Sequence, residues 1–495
     1  MVDLRRAARA LAAAAWCVCA AGVVVGQEDP PAKEPPKSRV AAAAFRSARA
    51  EWAPRVVKEL TDYAQWCRRS GMLAAEADAY AAVVRFDPEN ETARKALGHV
   101  RKAGVWTPPA TPRAPRDGAK ADRAGAAERR AAALAPYRGA VMPALREDGG
   151  LDAPALVARE DMLAELATLL PDDAEIREAR GETRDGDKWV LRETPPGRVR
   201  RKELAAAAAA AMKSAPVPEP AESSDVENAL GVAWKGKVRT DLVRTLAATS
   251  AEEAVRTARV AHASCELFRT AFDGLTGPAG DWTIFVVEPA AGPKLFDAHP
   301  EATDEQRKRS RRLSGYWFGG GANLVCYGPA PETRLDMASR QAFAHLMVRR
   351  DGLTGARGAL FDGCGNHLTW LLLGSRLTWF FRTEDYARTA GAERTADRLQ
   401  GRDVALLGEA AKIFGTDLEP RFENLLRVDV NALDPTQFLC AYAFCVYLLE
   451  ARPDALNAVV KGVVAGEPPE KTLVEALRLA PEQVGQRLKR WIRER

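Results

Sequence analysis

Cysteine is sparse, with eight in 495 residues. Cys17 and Cys19 fall in an apolar run near the start. The other six, Cys67, Cys265, Cys326, Cys364, Cys440 and Cys445, are scattered with no C-x-x-C pair. That spacing excludes a disulfide scaffold and offers no thiolate zinc site or redox motif, so isolated buried thiols are expected. Charge of one sign is also lacking. Lys and Arg number 72 against 67 Asp and Glu, a net of +5, which is not the concentrated basic signature of a nucleic-acid-binding domain. Glycine (37) and proline (31) stay far below collagen-like or wholly disordered proportions. There is no G-x-S-x-G elbow. Gly319, Gly320 and Gly321 are not followed by Lys-Ser/Thr, so they read as a tight turn and not as a phosphate loop.

At 47% hydrophobic residues, a chain of this length accommodates more than one core. Residues 1–26 have the pattern of an export signal: Arg5, Arg6 and Arg9, then apolar Leu11 to Val25, then Gly26 before polar Gln27. The apolar run is shorter than the roughly 20 residues of a membrane-spanning helix. No later segment is long enough either, so the mature chain is expected to be periplasmic or extracellular without a span; an uncleaved N-terminal anchor is the alternative. Residues 27–45, opening with QEDPPAKEPPK, read as a disordered linker.

From Val57 to Gly98 the periodicity turns helical, with Leu60, Tyr63, Ala64 and Cys67 on one face and Tyr80 and Val83 on a second helix. This resembles a tetratricopeptide repeat over one helical pair, placed at 46–110. A duplication is visible within the chain itself. Pro88, Gly98 and Trp106 recur at identical spacing as Pro171, Gly181 and Trp189, and Arg94, Ala96 and Arg101 align with Arg177, Ala179 and Arg184. Each copy predicts a helix closed near its Gly, then a short extended piece that lays its Trp on the helix. The second unit is placed at 126–195. Segments 111–125 and 196–225 read as linkers, the latter containing an alanine run between Leu204 and Met212 expected to be a helical spacer.

The remaining segment, 226–495, is expected to be α+β: strand candidates at Trp234 to Val243, Trp282 to Val287 and Tyr316 to Tyr327, a long helix from Ala251 to Phe272, and helices thereafter. Apolar Leu368 to Phe381 and Phe438 to Leu449 read as core helices. The succession TIFVVE, SGYW, MASRQAFAHLM, ALFDGCGNHL and EQVGQRLKRWIRE resembles the peptidase-MA-like, or gluzincin, domains of exported bacterial proteins. That family carries H-E-x-x-H on a helix and a third zinc ligand, Glu, downstream. Two His at i and i+4 chelate the metal, and the intervening Glu takes a proton from its bound water.

The matching pentad here is Gln341 to His345. The resemblance puts Gln341 at the first ligand, Ala342 at the general base, His345 at the second ligand and Asp362 at the third. Gln is a poor zinc donor, Ala accepts no proton, and loss of a general base costs on the order of 10²- to 10⁴-fold in rate. The expectation is therefore a non-catalytic pseudo-peptidase without a cofactor, acting as a binding or scaffold protein for a protein or peptide partner, for instance by pairing an extended peptide to the sheet edge. The competing expectation is a zinc hydrolase with a rearranged site of His345, Asp362 and His367, with Asn366 supporting Asp362. Without metal, Asp362 is expected to cap the helix that follows. A third expectation is an anion-binding surface formed by Arg307, Lys308, Arg309, Arg311 and Arg312, although Asp304 and Glu305 blunt its field. A nucleophilic Cys364 lacks any mark of a lowered pKa.

Overall fold

The computed structural model describes residues 37–109, 116–118, 122–146, 149–272, 282–311, 313–318, 323–351, 357–374, 392–399 and 404–495. The predicted export segment, Arg312, Gly319 to Gly321 and the part of Leu368 to Phe381 beyond Gly374 lie outside them. The fold is mixed α/β, largely helical, with one six-stranded sheet and two hairpins.

The N-terminal lobe contains two successive units of the same plan. The first comprises α1 (Lys37–Arg69), α2 (Leu73–Phe86), α3 (Glu91–Ala96) and a hairpin of β1 (Val100–Lys102) and β2 (Val105–Thr107). The second comprises α4 (Arg123–Leu145), α5 (Ala153–Leu169), α6 (Ala174–Ala179), β3 (Glu182–Asp185) and β4 (Lys188–Leu191). Leu60, Tyr63, Ala64, Cys67, Tyr80 and Val83 are all buried in one core shared by both units.

The duplicated residues explain the local geometry. Asn90 and Asp173 cap α3 and α6 by accepting from the amides of Ala93 (3.0 Å) and Ile176 (3.2 Å). Arg94 and Arg177 each donate Nε to the carbonyl of Pro88 (2.9 Å) and Pro171 (2.8 Å). Gly98 and Gly181 take φ of +75° and +71°, a left-handed closure that glycine adopts without strain. The extended piece is a hairpin in both copies and does not simply lay Trp on the helix. Arg101 pairs across strands with Trp106 and Arg184 with Trp189, each guanidinium lying over its indole at 5.5 and 5.8 Å.

The linker boundaries differ from expectation. Helix α1 already begins at Lys37, and Ala42 and Phe45 are buried in the lobe core. The alanine run belongs to α7 (Thr194–Ser214), where Leu204, Ala208 and Ala211 are buried. Methyl side chains let this helix approach its neighbours closely, so a segment with little apolar volume still packs.

The C-terminal lobe continues with β5 (Glu219–Pro220), α8 (Asp225–Ala229), β6 (Gly236–Arg239), β7 (Arg244–Ala247), α9 (Ala251–Ala271), β8 (Thr283–Val286), α10 (Gly292–Ala298), α11 (Asp304–Ser310), β9 (Gly315–Phe318) and β10 (Asn323–Cys326). Helices α12 (Pro331–Asp351), α13 (Gly358–Leu373), α14 (Ala392–Leu399), α15 (Leu406–Ile413), α16 (Phe422–Leu425), α17 (Pro435–Glu450), α18 (Pro453–Val464), α19 (Pro469–Leu477) and α20 (Pro481–Glu494) complete it. The sheet order is β5-β6-β7-β8-β10-β9. β8 runs parallel to β7 and β10, and the other pairs are antiparallel.

Alternation along the central strands sorts the two faces. Ile284, Val286, Leu324 and Cys326 enter the large helical core, while Phe285, Val287, Val325 and Tyr327 pack with Leu295 and Phe296 of α10. Helix α17, started by an Asp434–Gln437 capping box, runs through the middle of the helical core with Phe438 to Leu449 buried. No helix among the described residues is long and apolar enough to cross a membrane.

Candidate functional site

The pentad lies on α12 and faces the sheet. Gln341 Oε1 accepts the indole N–H of Trp317 on edge strand β9. One turn on, the His345 ring lies against Trp282 (centroids 4.8 Å, 17°) and Trp317 (5.1 Å, 10°), and those indoles are 5.9 Å apart. The three rings form one near-parallel cluster. Between them in sequence, Ala342 is fully buried in the helical core beside Phe343. Where a general base would meet water, this chain places a methyl group in closed packing.

Asp362 is carried by α13 but does not cap it. It lies a full turn inside the helix, whose N-cap position is Arg357, and its side chain turns to Arg340, with 4.0 Å between carboxylate and guanidinium. Arg340 precedes Gln341, so it lies about 100° around the helix from it. Arg340 also approaches Asp336 at 3.3 Å. Burial pushes the Asp362 carboxyl up to about 6, and Arg340 offsets this only in part. Asn366 donates to the main-chain carbonyl of Asp362 (2.8 Å), not to its carboxylate.

His367, on the same helix, belongs to another group of side chains. Its Nε2 lies 3.3 Å from Glu450 and its Nδ1 3.4 Å from the Tyr442 hydroxyl. Glu450 in turn accepts two bonds of 2.7 Å from Arg495. Burial raises the Glu450 carboxyl, but Arg495 and His367 together hold it below the usual range. The sequence reading found His367 and missed Glu450 and Arg495. The available signal was a carboxylate closing the apolar run FLCAYAFCVYLLE, because a charge so placed needs a partner.

His345, Asp362 and His367 thus occupy three different settings: an indole cluster, an arginine contact and a buried ion chain. Among the described residues no three His, Cys, Asp or Glu side chains gather where one ion would reach them. As placed, His345, Asp362 and His367 do not form a zinc ligand set.

The basic helix α11 is locally paired. Arg307 meets Asp304 (3.0 Å) and donates to the carbonyls of Phe296 and His299; Arg309 meets Glu305 (2.8 Å); Arg311 meets both oxygens of Asp297 (2.9 Å). Of the described members of the run, Lys308 is left without a carboxylate. Gln306 of the same helix donates to the main-chain carbonyl of Trp317 (3.0 Å), so part of the sheet edge expected to receive a peptide is occupied by the chain itself. Cys364 is fully buried, as are the other five described cysteines. It packs at the α13–α17 crossing, where Gly363 allows the close approach: a Cβ there would stand 2.5 Å from Cys445 Sγ.

Comparison with family models, curated proteins and solved structures returns no match.

Proposed function

We propose that this chain is an exported, non-catalytic binding or scaffold protein, its C-terminal lobe a gluzincin-like domain that has kept the frame and lost the hydrolytic chemistry. One observation carries the reading: the positions that would hold zinc and activate water are committed to packing. Ala342 fills the core, Gln341 is tied to Trp317, and His345 is stacked on two indoles. A zinc-ligand histidine has to share its point with further donors, which His345 does not do among the described residues, and a general base needs a titratable group, which Ala342 lacks. The partner on this reading is a protein or peptide, and no cofactor is required.

The test is elemental analysis of the purified mature chain beside a His345→Ala/Asp362→Ala variant, with peptide hydrolysis measured on both. Background zinc and no hydrolysis in either is the expected result. Near-stoichiometric zinc that disappears in the variant would refute the proposal in favour of the rearranged His345, Asp362 and His367 hydrolase.

A further inference from the structure

A cavity of about 390 Å³ lies where the two lobes meet, walled by α5, the end of α6, the start of α7, the α17–α18 junction and the α19–α20 junction. Its lining is strongly unbalanced in charge. Arg159, Arg180, Arg192, Arg452, Arg478 and Arg487 face two carboxylates, Glu160 and Glu193.

The pairing leaves positive charge over. Glu160 takes Arg180 (2.9 Å), and Glu193 takes Arg487 (3.0 Å). Two carboxylates outside the lining also contribute: Glu182 reaches Arg180 (3.0 Å) and Asp454 reaches Arg452 (2.8 Å). Arg192 and Arg478 meet no carboxylate among the described residues. Arg159 is buried and donates to the carbonyls of Leu145 (2.8 Å) and Ala179 (3.0 Å), contacts that fix its guanidinium in the cavity wall. Arg192 reaches the Glu178 carbonyl (3.2 Å), and the Arg478 side chain has no hydrogen-bond or carboxylate partner among the described residues. Arg478 also holds φ +56° at the end of α19. Glycine or asparagine takes that conformation more readily, so the backbone gives no reason for arginine there. Leu156, Pro196, Leu477 and Leu479 supply an apolar wall.

We infer that this interlobe cavity is a binding site for a small organic phosphate, with the phosphate held by arginine forks and its organic part against the leucine wall. Guanidinium groups match tetrahedral oxyanions through paired N–H donors, and the volume lies within the range of small-ligand pockets. Both lobes contribute, so occupancy ties them together. The inference does not depend on the peptidase resemblance.

Calorimetric titration of the full mature chain with 1-naphthyl phosphate, inorganic phosphate and 1-naphthol tests it. The expected result is saturable one-to-one binding of the naphthyl phosphate, tighter than that of either component and weakened by added salt. An Arg192→Gln/Arg478→Asn variant should bind at least tenfold more weakly. Both positions are exposed, and asparagine suits the left-handed site, so circular dichroism should show an intact fold. A Lys308→Gln/Arg311→Gln variant should bind as the parent does. The inference is overturned by absence of saturable binding at millimolar naphthyl phosphate, by unchanged affinity in the folded cavity variant, or by loss of binding only in the α11 variant.

Discussion

Asp362→Asn separates a carboxyl whose ionisation burial disfavours from a carboxylate poised for a cation. The carboxyl rises from an ordinary 3.8 to about 6 in the folded chain, with desolvation the largest cause. A folded state that holds its proton more tightly than the unfolded chain loses stability as pH rises from the unfolded value through the folded one. Roughly two pKa units correspond to a ceiling of about 3 kcal/mol. The side chain retains 17% exposure, so solvent screening reduces the expectation to about 1–2 kcal/mol. Asn cannot ionise and escapes this loss. Relative to the parent, Asp362→Asn should therefore gain about 1–2 kcal/mol between pH 4 and pH 7.5, read as a shift in urea midpoint by tryptophan fluorescence. An Asp362 engaged as a metal ligand or a tight ion pair gives the opposite sign, with the variant losing ground as pH rises. A stability difference that is flat across this range, or falls with pH, refutes the reasoning.

Two further substitutions probe the buried ion groups. Glu450→Gln leaves Arg495 and His367 without their common carboxylate in a closed setting and should cost about 3–5 kcal/mol at pH 7. Because the folded pKa of Glu450 is lowered, the cost should fade as pH falls below the ordinary carboxylate value; a cost unchanged by acid in urea titrations contradicts the pairing. Glu182, fully buried, meets Arg177, Arg180 and Arg490, so Glu182→Ala should cost about 3–5 kcal/mol and expose the junction between the lobes to limited proteolysis. His99→Ala, at the aligned position just before the first hairpin, should leave the cleavage pattern unchanged.

The amino-acid sequence by itself determined much of the frame. The Pro, Gly and Trp spacing marked the duplication because each residue does local work: the Pro88 or Pro171 carbonyl takes the aligned arginine, Gly98 or Gly181 closes the helix, and Trp106 or Trp189 meets an arginine across a hairpin. Core helices such as Phe438 to Leu449 were legible from hydrophobicity, and the buried strand of Thr283 to Val286 from its β-branched run. Tertiary structure decided everything that depends on which faces meet. The sequence placed Gln341, His345, Asp362 and His367 within one span, yet α12 turns the first two to the indoles and α13 turns Asp362 to Arg340 and His367 to Glu450. The arginines of the interlobe cavity come from segments some 300 positions apart, Arg159 to Arg487. Short-range spacing records only the partners within a turn or two, whereas charge gathered across two lobes exists only after the chain has closed on itself.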